Sequence, residues 1–204
     1  MSYTSCIDVN GESLVLDASV IVNLNATNQA EKIILSVPNR FVVTSTVVSE
    51  LKRGASRGHS DADQLDRLLA NRAVEEVTLD DTMLETFYEL VSGSSSESLD
   101  DGEAATLAYA VAKGASAVID ERKALRISNL RFPRLITVST IDVLAKALEL
   151  SAMPRDAMAD SLFAALTTAR MRVLAEQLGW VVDLIGSDRT KLCPSIRRHI
   201  RSNM

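Results

Sequence analysis

Residues 14–24 read LVLDASVIVNL, an apolar run interrupted by one carboxylate, Asp17. The run begins as SLVLD (13–17), and comparable stretches follow at FVVTS (41–45), VEEVTL (74–79), SAVID (116–120) and LITVS (135–139). All are short, with β-branched residues prominent, as in strands buried within a parallel sheet. Between them, helical spacing of apolar residues covers 18–36, 45–53, 60–72, 81–92, 101–113, 121–129 and 140–150. Strand–helix alternation of this kind predicts an α/β domain over residues 1–150, with helices on both faces of a five-stranded, mostly parallel sheet. Gly102, just inside one of these helix starts, and SGSSSES (92–98) mark a loop before that helix. Beyond residue 150 the strand signals stop. Residues 155–178 predict one long, partly amphipathic helix, so 151–204 are expected to form a helical extension. Its basic tail carries Arg189, Lys191, Arg197, Arg198 and Arg201 against a single acid, Asp188.

Composition narrows the partners. With 204 residues, 47% apolar and 24% charged, the chain suits one domain with an extension or two small ones. Aromatics are only 4%, so base-stacking platforms are scarce and any nucleic-acid contact should run through phosphates. A net charge of −5 argues against a surface that is basic overall and leaves room for a local basic patch. Cys6 and Cys193 form no metal-spacing motif and are expected as two free thiols in a reducing cytosol. The start, MSYTSCIDVNGES, has neither the basic opening nor the apolar core of a signal peptide. No apolar stretch reaches the roughly 18–20 residues that span a bilayer. A cytoplasmic protein without a membrane partner is expected.

Four acids then stand out. Asp17 ends the first apolar run and Asp120 ends the fourth. In an open parallel sheet, positions just past the carboxyl ends of strands face the crevice where ligands bind. Either Asp also suits a helix N-cap. Glu50, in TSTVVSELKRG, lies about one and a half turns into a helix near Val47 and Val48, where a solvated Glu is the ordinary alternative. Glu103, in LDDGEAATLAYAVAKG, has the capping-box separation from Asp100, and Asp100 and Asp101 suit the positive end of a helix. The small residues Ala104, Ala105, Ala108 and Ala110 would let that helix pack closely on the sheet and bring its first turn to the same rim. Two carboxylates about 4 Å apart repel by roughly 4 kcal/mol at an effective dielectric of about 20. Four at one rim would consume much of a domain's stability or bind protons. A divalent cation relieves this, and Mg²⁺ and Mn²⁺ prefer carboxylate and water oxygens.

In their order, LVLDASVIV, VVTSTVVSELKRG, LDDGEAATLAYAVAKGASAVIDERKALRIS and LITVSTIDVL, these segments resemble the PIN-domain ribonucleases, and among them the VapC-like proteins of bacteria and archaea. The resemblance spans about residues 13–150. It implies a PIN-like three-layer α/β/α fold with an acidic pocket at the carboxyl edge of the sheet. By motif position it makes Asp17, Glu50, Glu103 and Asp120 a metal-holding and catalytic quartet, with Ser19 supporting the site. Asp100 and Glu121 become auxiliary acids, ahead of Asp101. The family often has Asp where Glu103 stands, which lets Asp100 share the third role, whereas the Gly-Glu-Ala form favours Glu103.

The chemistry so implied is metal-dependent phosphodiester hydrolysis, with one or two Mg²⁺ or Mn²⁺ ions and no covalent nucleophile. His59 and His199 are not placed as a catalytic pair. An acidic pocket repels RNA, so Lys52, Arg53, Arg122, Lys123 and Arg126, close to the acids in sequence, are candidates for holding its phosphates, against the plainer reading of solvated helix faces. The basic tail is a second candidate. Many relatives are toxins of a toxin–antitoxin pair, which implies a candidate antitoxin partner that inserts a segment into the pocket. Residues 151–204 lie beyond the resemblance, with packing on the domain, homodimer formation and partner binding all open. Two other readings compete. One is a non-catalytic interaction module on the same fold. The other is a phosphohydrolase with Asp17 as aspartyl nucleophile, which ranks last because the second Asp such enzymes need is replaced by Ser19.

Overall fold

Leu14, Val15 and Leu16 are all buried at 1% exposure or less, which places the first apolar run at the centre of a sheet. The computed structural model describes residues 3–9, 11–55 and 60–196. Its strands are β1 (Leu14–Leu16), β2 (Phe41–Thr44), β3 (Glu75–Val77), β4 (Ser116–Val118) and β5 (Thr137–Val138). They form one sheet in the order β3-β2-β1-β4-β5, and every pairing is parallel. Leu16 is in register with Val43 on one side and Val118 on the other. Central strands β1, β2 and β4 are buried throughout, as their unbroken apolar runs require. At the edge, β3 exposes Glu75 and Glu76, and Glu75 accepts a hydrogen bond from Arg40 Nε at 2.8 Å. A charged edge of this kind discourages pairing with another chain.

The helices are α1 (Ala18–Ala26), α2 (Ala30–Ser36), α3 (Ser45–Ala55), α4 (Asp61–Ala70), α5 (Asp81–Val91), α6 (Asp101–Lys113), α7 (Arg122–Arg131), α8 (Thr140–Glu149), α9 (Arg155–Ala164), α10 (Leu178–Ile185) and the short α11 (Ser187–Thr190). The fold is of the expected three-layer α/β/α class. Helix α6 carries Gly102 and Glu103 in its first turn. Its Ala104, Ala105, Ala108 and Ala110 are all fully buried, so its backbone lies close to the sheet. It joins Met83 and Leu90 of α5 and Val15, Val42 and Ala117 of the strands in one apolar core.

Among the described residues the chain forms two compact units that interleave in sequence, one of residues 8–21 and 38–139, the other of residues 3–7, 22–37 and 140–196. The first contains the whole sheet and α3 to α7. In the second, α8 packs on α2 and α9, and α9 packs on α10. The N-terminal segment of this second unit is tied down by hydrogen bonds. Tyr3 Oη donates to Asp142 Oδ1 at 2.7 Å and accepts from Gln177 Nε2 at 3.1 Å, while the Cys6 N–H donates to the same carboxylate oxygen at 3.3 Å.

Two helical expectations need correction. The stretch 18–36 is two helices, because Asn28 takes a left-handed conformation (φ 58°) just after Thr27 turns its hydroxyl onto the Leu24 carbonyl. The long helix expected over 155–178 stops as α-helix at Ala164 and widens into a π-helical turn over Ala165–Ala169. There Thr167 Oγ1 donates to the carbonyls of Phe163 (2.8 Å) and Ala164 (3.2 Å), the back-bonding that loosens a helix. Arg170 then reverses the backbone at φ 54°, and the chain regains a helical path only at the 3₁₀ turn Ala175–Gln177 that leads into α10. Periodicity alone does not register a single left-handed residue. Neither Cys6 (exposed) nor Cys193 (buried) is in a disulfide, and Cys193 Sγ donates to the Arg189 carbonyl at 3.3 Å. Among the described residues no helix is long and apolar enough to cross a membrane.

Candidate functional site

Strand order places two of the four acids together. The chain builds outward from β1 to β3 on one side and then returns to lay β4 against the other side of β1. The switch point of such a sheet lies between β1 and β4, where the crevice at the carboxyl edge opens. Asp17 follows β1 directly, and its N–H donates to the Val118 carbonyl of β4 at 3.2 Å. Two residues after Val118 comes Asp120, positioned by the Ile119 N–H, which donates to the Val138 carbonyl of β5 at 2.8 Å. Both acids are buried, Asp17 at 4% and Asp120 at 7% exposure. Asp17 also does what an N-cap does. Its Oδ2 accepts from Ser19 Oγ at 2.7 Å and from the Ser19 N–H at 3.3 Å, at the start of α1. Capping and site membership are compatible here.

Helix α3 supplies Glu50 and packs against α6. Val47 and Val48 are buried beneath it, which leaves Glu50 half-buried on the α6 side. Its carboxylate lies against Gly102: a Cβ at that position would collide with Glu50 Oε2 and sit 3.4 Å from Val47 Cγ2. One residue on, Glu103 makes its half of the capping box expected from sequence, while the Asp100 side chain makes no cap hydrogen bond. The Asp100 N–H donates to Glu103 Oε2 at 3.2 Å, and Oε1 has no hydrogen-bond partner among the described residues. Asp100 is the N-cap of α6, and Glu121 is the exposed N-cap of α7.

The acids perturb one another in one direction. Burial raises the Asp17 pKa; the Ser19 hydroxyl and the N–H groups of Ala18 and Ser19 oppose it, while Glu121 adds repulsion. Glu50 is raised by burial, then by Asp17 and Asp100, with Arg53 opposing and Asp101 adding. Glu103 is pushed up to about 7 by burial, with the Asp100 N–H opposing and Asp17, Asp100 and Glu121 adding. Negative charge dominates the edge. Among the described residues no three His, Cys, Asp or Glu side chains form a ready ligand set. By donor chemistry the edge fits a hard divalent cation, since it offers carboxylates and one hydroxyl and no softer ligand.

The candidate RNA-binding cations are not equivalent. Lys52 pairs with Asp66 of α4 at 3.5 Å, and Arg53 acts on Glu50. Arg126 Nη2 donates to the Ser96 carbonyl at 2.6 Å and so holds the serine-rich loop that leads into α6. Arg122 and Lys123 make no hydrogen bond or ion pair among the described residues. His59, His199, Arg197, Arg198 and Arg201 lie outside the described residues. The sequence set Gly102 just inside a helix start and within the Gly-Glu-Ala form, and nothing more. Its role against Glu50 has no local signal beyond a glycine standing where an alanine would suit a helix.

The PIN-domain family model DUF3368 matches residues 13–187, so the chain belongs to the PIN-domain family. The match runs well past residue 150, so most of the segment that motif comparison left uncovered falls within the family as well. PIN domains are generally nucleases and typically use a divalent metal. Among solved structures, the chain is similar to the crystal structure of VapBC2 from Rickettsia felis bound to a DNA fragment from their promoter. The identity is 19% and the TM-score 0.45, over 62% of this chain and 98% of the other. A search of curated proteins finds no match.

Proposed function

We propose that this chain is a Mg²⁺- or Mn²⁺-dependent ribonuclease acting through Asp17, Glu50, Glu103 and Asp120. The observation that carries the reading is Asp17, a carboxylate almost wholly removed from water at the switch point of a parallel sheet, with Glu50 and Glu103 repelled by it. A buried acid in that setting costs stability unless a charge compensates it. A bound divalent ion would orient and acidify a water and offset charge on the phosphate oxygens. Ser19 holds the Asp17 carboxylate in one orientation, and the Asp100 N–H holds Glu103 by one of its two oxygens. Arg122 and Lys123 are the cations best placed to take RNA phosphates, since neither is engaged elsewhere among the described residues. The partner that fits an acidic edge is an antitoxin segment carrying a basic side chain.

The test is RNA cleavage by the purified chain with Mn²⁺, its loss in EDTA, and its loss in Asp17→Asn. Cleavage at the wild-type rate by Asp17→Asn, with contaminating nuclease excluded, would remove the reading. That no three acids form a ready ligand set among the described residues is the one observation that favours a non-catalytic interaction module instead. Calorimetric Mn²⁺ binding separates the two, because the module has no use for the ion.

A further inference from the structure

We propose that Gly102 is a positioning residue for Glu50, its missing side chain forming the notch that holds the Glu50 carboxylate in place for metal. The metal half of this statement rests on the proposed function; the notch does not. Glycine in a helix costs about 1 kcal/mol relative to alanine, and α6 uses buried alanines at 104, 105, 108 and 110. Nothing in the local backbone calls for glycine, since the positive-φ glycines are Gly11, Gly93, Gly114 and Gly186 and Gly102 is not among them. The reason is tertiary. Glu50 Oε2 occupies the space a Cβ would take, with the Glu50 Cδ and Val47 Cγ2 each 3.4 Å from that point. Because the colliding atom is the far end of a flexible side chain, an added methyl displaces the carboxylate and leaves the helices in place. Gly102 therefore sets where a carboxylate from α3 reaches, one residue from Glu103 on α6.

The experiment uses the full chain as wild type, Gly102→Ala, Glu50→Asp, Glu50→Ala and the two double variants. Two readouts are taken: Mn²⁺ binding by calorimetry and Tm in EDTA. Gly102→Ala should weaken Mn²⁺ binding about tenfold or more without lowering the EDTA Tm. Glu50→Asp should weaken binding when residue 102 is glycine and strengthen it when residue 102 is alanine, because the shorter side chain clears the methyl. That reversal of sign is a response a purely structural glycine would not produce. In the absence of metal, Gly102→Ala should raise Tm by a few degrees beside Glu50→Ala, and by less or not at all beside Glu50. Wild-type affinity in Gly102→Ala, or Glu50→Asp acting alike in both backgrounds, overturns the metal half. Equal Tm changes in both Glu50 backgrounds overturn the notch. If the wild-type chain binds no Mn²⁺, the proposed function falls, and the Tm comparison still decides the notch.

Discussion

Replacing Glu103 by Gln should make the metal-free protein more stable at pH 8 and leave it nearly unchanged at pH 5. In the folded chain Glu103 titrates near 7 against an ordinary 4.5, mainly because of burial and then the charges of Asp17, Asp100 and Glu121. The folded state thus holds a proton more tightly than the unfolded one. An acid raised in this way destabilises the fold only when ionised. The penalty is absent below about pH 4.5, grows as the pH climbs to about 7, and is then complete. Full linkage would correspond to about 3 kcal/mol, but Glu103 keeps contact with water, and about 1–2 kcal/mol is the realistic size. For a chain of 204 residues that is a Tm increase of about 3–6 °C.

Glutamine keeps the acceptor for the Asp100 N–H, so the helix start is preserved. The assay is thermal unfolding in EDTA at both pH values, followed by repetition in Mn²⁺. With metal at about 100 times its Kd the wild type gains about 2.7 kcal/mol, and the order of stabilities should invert. A Gln variant no more stable than wild type at pH 8, or equally more stable at pH 5, would refute the electrostatic account of the acidic edge.

Ser19→Ala removes a 2.7 Å hydroxyl donor that lowers the Asp17 proton affinity. The acid limb of the pH–rate profile for RNA cleavage should therefore shift to higher pH, and an unmoved limb would count against the role given to Ser19. Arg122→Ala and Lys123→Ala should each weaken RNA binding evenly across sequences. Filter binding should show the salt slope shallower by about 0.7 for each phosphate that is no longer neutralised; Lys52→Ala, its charge already paired with Asp66, should change the slope less. Tyr3→Phe leaves Asp142 and Gln177 without the shared hydroxyl. It should cost about 1–3 kcal/mol in urea unfolding, and an unchanged midpoint would show that this network does not anchor the N-terminal segment.

Local signals were strong where chemistry and position coincide. Helix α6 runs over the residues that its pattern predicts, because Asp100 and Glu103 mark its start and Gly114, left-handed at φ 61°, ends it after Lys113. The apolar runs ending in Asp17 and Asp120 announced parallel strands that give way to a carboxylate. Failure came where one residue's backbone sign decides the path. Asn28 and Arg170 each break a helix that apolar spacing would have continued, and the hydroxyl of Thr167 loosens the second break beforehand. Hydrophobic periodicity reports which face is buried, and a left-handed residue changes direction without changing that record.

From the sequence alone came the α/β class, the five strands, the family resemblance and the choice of candidate acids, because each depends on neighbours within a few positions or on motif order. Tertiary structure decided that β4 returns to the side of β1, which puts Asp17 and Asp120 at one switch point. It also decided that a glycine on α6 stands opposite Glu50 on α3, and that residues 22–37 join 140–196 in one compact unit. Those relations link residues tens of positions apart. Their energy comes from packing and from charges brought close in space, and neither is written in any local stretch of the chain.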